Sequence, residues 1–414
     1  MRMYYHYKGI SNNMEDFNYQ KTNQLSIINY ILWNLVGIGL GSLIGAIAGS
    51  FMYAQHYLIK FLWETVPDHL GGLNPLHTFI TCVVGGLIVG VVRKHLGDEP
   101  QSIHAVLRSI KTGENVPGIK TVPAAFLLSL ISLGFGAALG PEAALIGIAV
   151  GFSSWTGETI ARYAKKLNLA DLQKPWSKIP GYLAMVSGFT MFALVAMPMF
   201  SLTYSYFPYQ YSLAGDEIFI SIVLGFMGLL VGKTFSLISN HLDKLLIPIK
   251  NKPILTSLLG GVLLGGLGML SPLILFSGQI GFSFLFENGL EMSGLFLIMI
   301  GVLKMISTKT NSATGWKGGE FFPVMFASAV IGLGISNLIP GINPMVAIAA
   351  LMAATVTIVM DNIYIALAVV LLFLPVNLII PMLVASLVAM VTTKNFIFSP
   401  KFAIQKVSVK PEKE

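Results

Sequence analysis

The sequence predicts an all-α, polytopic membrane protein built from tilted and broken helices, and three observations predict it. Of 414 residues 54% are hydrophobic and only 11% charged, against about 25% charged in a soluble domain, and mean hydropathy is +0.74. Apolar stretches recur from Leu25 onward, each crossing of the hydrocarbon needing about 20 residues. Many of these stretches are interrupted by some of the 42 glycines and 20 prolines. Helices are therefore expected to start and stop at membrane depth, where irregular backbone persists only against protein or a hydrated cavity. The composition excludes a water-soluble enzyme. The excess of 26 Lys and Arg over 19 Asp and Glu does not point to nucleic acid, because the cations sit between and after apolar blocks, as on the cytoplasmic side of a membrane protein. The single Cys82 excludes a disulfide framework and a cysteine-based metal site.

Taken in order, residues 1–24 are polar and aromatic, with Arg2, Lys8 and Lys21 beside Glu15 and Asp16. They show no short apolar core followed by a cleavage site and read as a cytoplasmic tail. The first apolar run, about 25–62, exceeds one perpendicular crossing and is expected to tilt. Others fall near 77–92, 122–139, 180–206, 217–240, 253–276 and 291–308. The stretch 324–392 is almost continuously apolar, divided only at Pro340, Pro344, Asp361 and Pro375. The loop from Trp63 to His77 holds Glu64 and Asp68 and no Lys or Arg, whereas the next carries Arg93, Lys94, Arg108, Lys111 and Lys120. The positive-inside rule makes the first external and the second cytoplasmic. With a basic tail over 396–414, both termini are expected in the cytoplasm of a cell whose cytoplasmic membrane the chain crosses several times.

Two interruptions look related. The run from Gly134 to Leu145, containing Gly140-Pro141-Glu142-Ala143-Ala144, leads into 146–152, and Gly315-Trp316-Lys317-Gly318-Gly319-Glu320-Phe321-Phe322-Pro323 leads into 324–332. Broken segments at matching places in two halves point to a transporter's site. A glycine-rich turn opening a helix leaves amide hydrogens unpaired and aims the positive dipole end at one spot. Two such starts meeting mid-bilayer would hold a small anion without a fixed charge, weakly enough to release it. Close helix packing is the alternative for glycine clusters taken alone. Glu142 shifts the balance, because a carboxylate at membrane depth is costly and marks function by default, even though a helix start also favours an acid. Both readings combine if the carboxylate competes with an anion for the same amides. Protonation or displacement then opens the path.

On these residues the chain resembles the CLC family of voltage-gated chloride channels and chloride/proton exchangers, as a divergent bacterial-type member without cytoplasmic CBS domains. The family's Gly-Arg/Lys-Glu-Gly-Pro pattern is similar to Gly140-Pro141-Glu142-Ala143-Ala144, with Glu142 on the gating position. Its Gly-Gly-x-Phe-x-Pro pattern is matched by Gly318-Gly319-Glu320-Phe321-Phe322-Pro323. The resemblance covers about 25–395 and implies a CLC-like inverted repeat, with halves about 30–207 and 215–393, in a homodimer of two separate pores. It implies an anion site formed by Gly140, Glu142, Ala143, Gly319, Glu320, Phe321 and Phe322. It implies chloride or another small anion as the cargo, with protons as a second one, and no cofactor or nucleic acid.

Departures from the family are informative. Pro141 stands where the family has Arg or Lys and has no amide hydrogen to give, while its fixed φ suits a first helical position. The family's Gly-Ser-Gly-Ile-Pro aligns on Gly97-Asp98-Glu99-Pro100-Gln101, which puts Asp98 on the serine that touches the central anion; a solvated loop is the other reading of this segment. The inner proton-relay glutamate has no counterpart, since counting from Pro198 reaches Phe207. The carboxyl-terminal tyrosine has only Phe396 or Phe398 nearby. Asp98, Phe396 and Phe398 are thus candidate pore or central-site positions. Glu320 is the candidate replacement acid, with Lys317 its expected local partner. Lys304 and Asp361 are expected at helix ends or paired with each other. The histidines lack ligand spacing, and no metal site is expected. Met199, Tyr204 and Tyr206 read as core before pore lining. The sequence reads as that of an anion channel or transporter, with chloride the first expected cargo. A fluoride/proton antiporter is the near alternative; an integral-membrane enzyme using Glu142 and Asp98, or a nonconducting homologue, are those of another class.

Overall fold

The structure, a computed structural model, describes residues 2–69, 71–166, 179–196, 206–207, 215–249 and 251–395. Helix α1 spans Arg2–Lys60 and continues through a π-helical turn, Phe61–Thr65, into the short α2, Val66–His69. The segment expected as a polar tail is thus helical and continuous with the first apolar run. The chain then folds as α3 (Pro75–Leu96), α4 (Ile103–Thr112), α5 (Val122–Gly134), α6 (Glu142–Lys166) and α7 (Ile179–Ala196). The second half holds α8 (Gly215–Leu246), α9 (Pro253–Gly268), α10 (Gln279–Asn288), α11 (Gly294–Ala313), α12 (Phe321–Leu338), α13 (Pro344–Met360), α14 (Ile363–Val370) and α15 (Ile379–Asn395). Among the described residues there is no named strand.

Boundaries follow local chemistry. Asn74 caps α3 by accepting from the His77 amide, with Pro75 at the first helical position, and Gly97 ends the helix at φ +89. Asn343, followed by Pro344, caps α13 in the same way, and Asn362 caps α14. Each places an Asn oxygen on an orphan amide and a Pro, where present, at a position whose amide would be unpaired anyway. Asp361 closes α13 at φ +50 and is exposed, at a helix end as the sequence suggests.

Within lipid the packing force is close contact, which small residues permit. Along α1, a Cβ at Gly37, Gly41 or Gly45 would strike the carbonyls of Pro180, Ala184 and Gly188 on α7. At the crossing of α3 and α9, Gly86 faces the Ser257 carbonyl and Gly261 that of Cys82. Helices α12 and α13 form the centre: Met345 through Thr357 are buried without exception, and so is nearly all of α12. Among the described residues five helices are long and apolar enough to cross a membrane: Asn29–His69, Pro75–Leu96, Gly215–Ile249, Phe321–Leu338 and Val376–Thr393. Shorter apolar helices, Pro253–Gly268 and Pro344–Met360 among them, lie between. The chain is a multi-pass membrane protein.

Candidate functional site

The two interruptions meet at backbone level. Gly140 and Gly319 exchange both amide hydrogens, N–H to O=C at 2.7 and 2.6 Å, as one antiparallel bridge. A Cβ at either glycine would collide with the Glu142 carboxylate, so its present placement depends on both positions lacking a side chain. On the first side, α5 ends at Gly134 and Gly136 turns the chain at φ +91. The Ala137 amide donates to the Ser132 carbonyl at 3.1 Å, the Ala138 amide to Asn311 Oδ1 at 2.8 Å, and Phe276 N–H to the Gly136 carbonyl at 3.1 Å. Immediately after Pro141, α6 begins at Glu142. On the second side, Gly315 lies at φ +87, with the Arg93 guanidinium in the space a Cβ would fill. The Lys317 amide donates to Ser132 Oγ at 2.9 Å, and α12 starts at Phe321 with Glu320 as its N-cap.

Glu142 spans the junction. Its Oε1 accepts the Phe322 amide at 2.8 Å, while its Oε2 is buried with no hydrogen-bond partner among the described residues. The Phe322 amide belongs to the first turn of α12, one of the donors that a helix start leaves free. Of the sequence-predicted residues, Gly140, Glu142, Gly319, Glu320, Phe321 and Phe322 thus lie at one junction, with Ala143 buried in the first turn of α6. The Phe322 ring stands edge-on to Phe321 and Phe373. Phe396 and Phe398 lie outside the described residues, as do Pro198, Met199 and Tyr204. Tyr206 donates its hydroxyl to the Phe373 carbonyl at 3.0 Å, and Phe207 is buried in the core.

Three pairings differ from expectation. Glu320 is paired with Lys309 at 2.5 Å, and not with its neighbour Lys317. The bridge at Gly319 turns the chain between positions 317 and 320, while α11 brings Lys309 alongside, its ammonium 4.1 Å from the Phe235 ring centre. Lys317 instead reaches Asp98, 3.0 Å to Oδ1 and 2.8 Å to the backbone carbonyl, and Arg93 Nε joins the same carboxylate at 2.7 Å. Lys304 is neither at a helix end nor paired with Asp361. It lies in the middle of α11 with no exposure and donates to the carbonyls of Ile274, Leu275 and Phe276. Asn311, Lys309, Ser132 and Arg93 were not among the site residues the sequence pointed to, Arg93 having been read only as a loop cation. The only signal for them is polar residues inside or beside apolar runs, which does not say what they touch.

A bundle of apolar helices, two of which start at one junction around a half-buried acid, defines an integral membrane protein with a polar site among its helices. The family profile described as "Voltage gated chloride channel" matches residues 85–174 and 173–394, and the chain belongs to that family. It is 22% identical over 367 residues to "Putative ion-transport protein YfeO" of Escherichia coli O127:H6, covering 80% of this chain and 85% of that one. With the protein of the same name from Salmonella choleraesuis it shares 26% over 338 residues, 72% and 78% of the two chains. Among solved structures it is similar to a slow cyanobacterial Cl-/H+ antiporter, with a TM-score of 0.67, 17% identity and coverage of 87% and 94%. It is also similar to a CLC-type fluoride/proton antiporter, with a TM-score of 0.68, 16% identity and coverage of 88% and 95%. These likenesses establish the fold.

Proposed function

We propose that this chain moves a small anion, chloride first, across the membrane through the junction of α6 and α12, with Glu142 as its gate. The observation that carries the reading is the bond from the Phe322 amide to Glu142 Oε1 at 2.8 Å. A carboxylate oxygen on a free helix-start amide stands where a permeant anion would be bound, attracted by the same dipole. A glutamate in that place is an internal competitor. Protonation removes its charge and frees the amide; an arriving anion displaces it. Backbone donors bind without the grip of a fixed charge at contact distance, as throughput demands.

Flux measured in reconstituted vesicles tests this. Chloride efflux is expected to rise as pH falls, because protonation releases the gate. Glu142→Gln, which cannot carry the negative charge, is expected to give flux that no longer responds to pH. An acid response unchanged in Glu142→Gln rejects the gate. Running fluoride beside chloride, with pH recorded inside the vesicles, fixes the cargo: faster fluoride efflux with counter-moving protons assigns fluoride/proton exchange. Glu320 supports proton movement as a second acid beside Glu142, although its pairing with Lys309 at 2.5 Å keeps its charge locally balanced.

A further inference from the structure

We infer that Lys304 is the fixed counter-charge of this anion path and the positioning residue of its first turn, an inference that rests on the reading above. Lys304 has no exposure, and its Nζ donates to the carbonyls of Ile274, Leu275 and Phe276 at 3.1, 2.5 and 2.6 Å. An ammonium has three donors and no acceptor. Three carbonyl oxygens around one nitrogen therefore use all three hydrogens, and a neutral amine would turn its lone pair on one of them. This cage of three acceptors suits the charged form. The ring of Phe326, with its centre 5.6 Å away, adds a negative face.

No carboxylate lies within ion-pair distance of Lys304 among the described residues, whereas Lys309 has Glu320, and Arg93 and Lys317 share Asp98. Carbonyl dipoles solvate the ammonium but do not cancel its net charge, which reaches further in a low-dielectric interior than in water. At the junction itself Glu142 has no cation within ion-pair distance among the described residues, and its Oε2 is buried there without a hydrogen-bond partner. Pro141 occupies the position where the family pattern has Arg or Lys, and the cations beside the junction, Lys309 and Lys317, are already paired with Glu320 and Asp98. The backbone links the two sites. Phe276 takes the Lys304 ammonium on its carbonyl and gives its amide to Gly136. Seven residues after Lys304, on the same face of α11, Asn311 accepts the Ala138 amide. One helix thereby grips the first turn at both ends and supplies positive potential to whatever negative charge fills the junction, glutamate or anion.

The test uses the full chain and the variants Lys304→Arg, Lys304→Gln and Lys304→Met. Chloride and fluoride affinity is read by calorimetry in detergent and flux in vesicles. The glutamine retains hydrogen-bond donors without charge, so it separates the counter-charge from mere solvation of the carbonyls. Gln and Met are expected to weaken anion affinity about tenfold or more, the scale of one buried charge acting at a distance, with Arg within about threefold of the native chain. Native affinity in Lys304→Gln overturns the inference. If the single variants fold poorly, thermal melts of Lys304→Gln with and without Glu142→Gln decide it. Removing both charges is expected to restore part of the melting temperature that removing one loses, and no restoration overturns the inference. A native chain that neither binds nor moves any halide defeats the anion reading instead, and the paired melts remain informative about the charges.

Discussion

The family pattern, laid on the sequence, puts Asp98 on its serine, and an unpaired carboxylate there would repel an approaching anion. The structure gives it two cations, Lys317 and Arg93, at 3.0 and 2.7 Å. Partial burial pushes its pKa up, but the charges of Lys317 and then Arg93 outweigh that, and the group is held below the usual carboxylate range. The sign of the consequence is definite: a depressed folded pKa stabilises above the unfolded value and is lost only as pH falls through the folded one. Between pH 5 and 8 Asp98 therefore does not titrate, since even a free Asp has a pKa of about 3.9. Asp98→Asn is expected to lower stability by no more than about 1 kcal/mol, because the side chain is largely exposed and screened. It is also expected to leave the shape of the pH–flux curve in that interval unchanged, in contrast to Glu142→Gln. A flattened curve in Asp98→Asn would move the gate to this cluster. At this scale, sequence reasoning reached Glu142 and the 318–323 turn, because an acid and a helix-opening glycine run are visible in one stretch of chain. It could not reach the partners of Glu320 or Asp98, since ion pairs across a folded-back turn depend on direction rather than on spacing. Nor could it reach the environment of Lys304, whose partners are backbone carbonyls that any sequence supplies.

Helices carry most of what was readable. The apolar runs near 77–92, 122–139, 253–276 and 291–308 correspond to α3, α5, α9 and α11, and their ends follow Asn, Pro and Gly punctuation. The glycines had two readings, packing and anion binding, and in the structure they lie at two kinds of place. Gly140 and Gly319 are at the junction, whereas Gly37, Gly41 and Gly45 let α1 lie against α7. No periodicity argument separates the two, because both need the same missing side chain. The difference is testable within a single helix. Gly41 has the Ala184 carbonyl and the Ser187 hydroxyl in the way of any Cβ, while Gly39 has nothing within 4 Å. Gly41→Val is expected to destabilise the protein by about 1–3 kcal/mol through overpacking. Gly39→Ala is expected to be neutral or to stabilise by up to about 1 kcal/mol by restricting the unfolded backbone. Thermal melts of the two purified variants check this, and equal losses at both positions would mean that α1 does not seat on α7 through this face.

At the scale of the whole molecule the site is an outcome of topology. α5 and α6 belong to the first half of the chain, α11 and α12 to the second, and the bridge between Gly140 and Gly319 joins elements 179 positions apart in the sequence. Neither half holds a complete site: the carboxylate comes from one and the amide it occupies from the other. Such a junction has a defined sidedness only if the loops have one, and the positive-inside rule proposes one: Arg93, Lys94, Arg108, Lys111 and Lys120 on the cytoplasmic side and Glu64 and Asp68 on the other. Thiol labelling on intact cells with a membrane-impermeant maleimide tests that assignment. The one native thiol, Cys82, is fully buried and is expected to give no background. Leu73→Cys, at an exposed position in the turn before α3, is expected to label from outside. Lys111→Cys, exposed near the end of α4, is expected to label only after the membrane is permeabilised. The reverse pattern would invert the protein, placing the Arg93–Asp98–Lys317 cluster outside, so that anions would meet those cations on entering the cell rather than on leaving it.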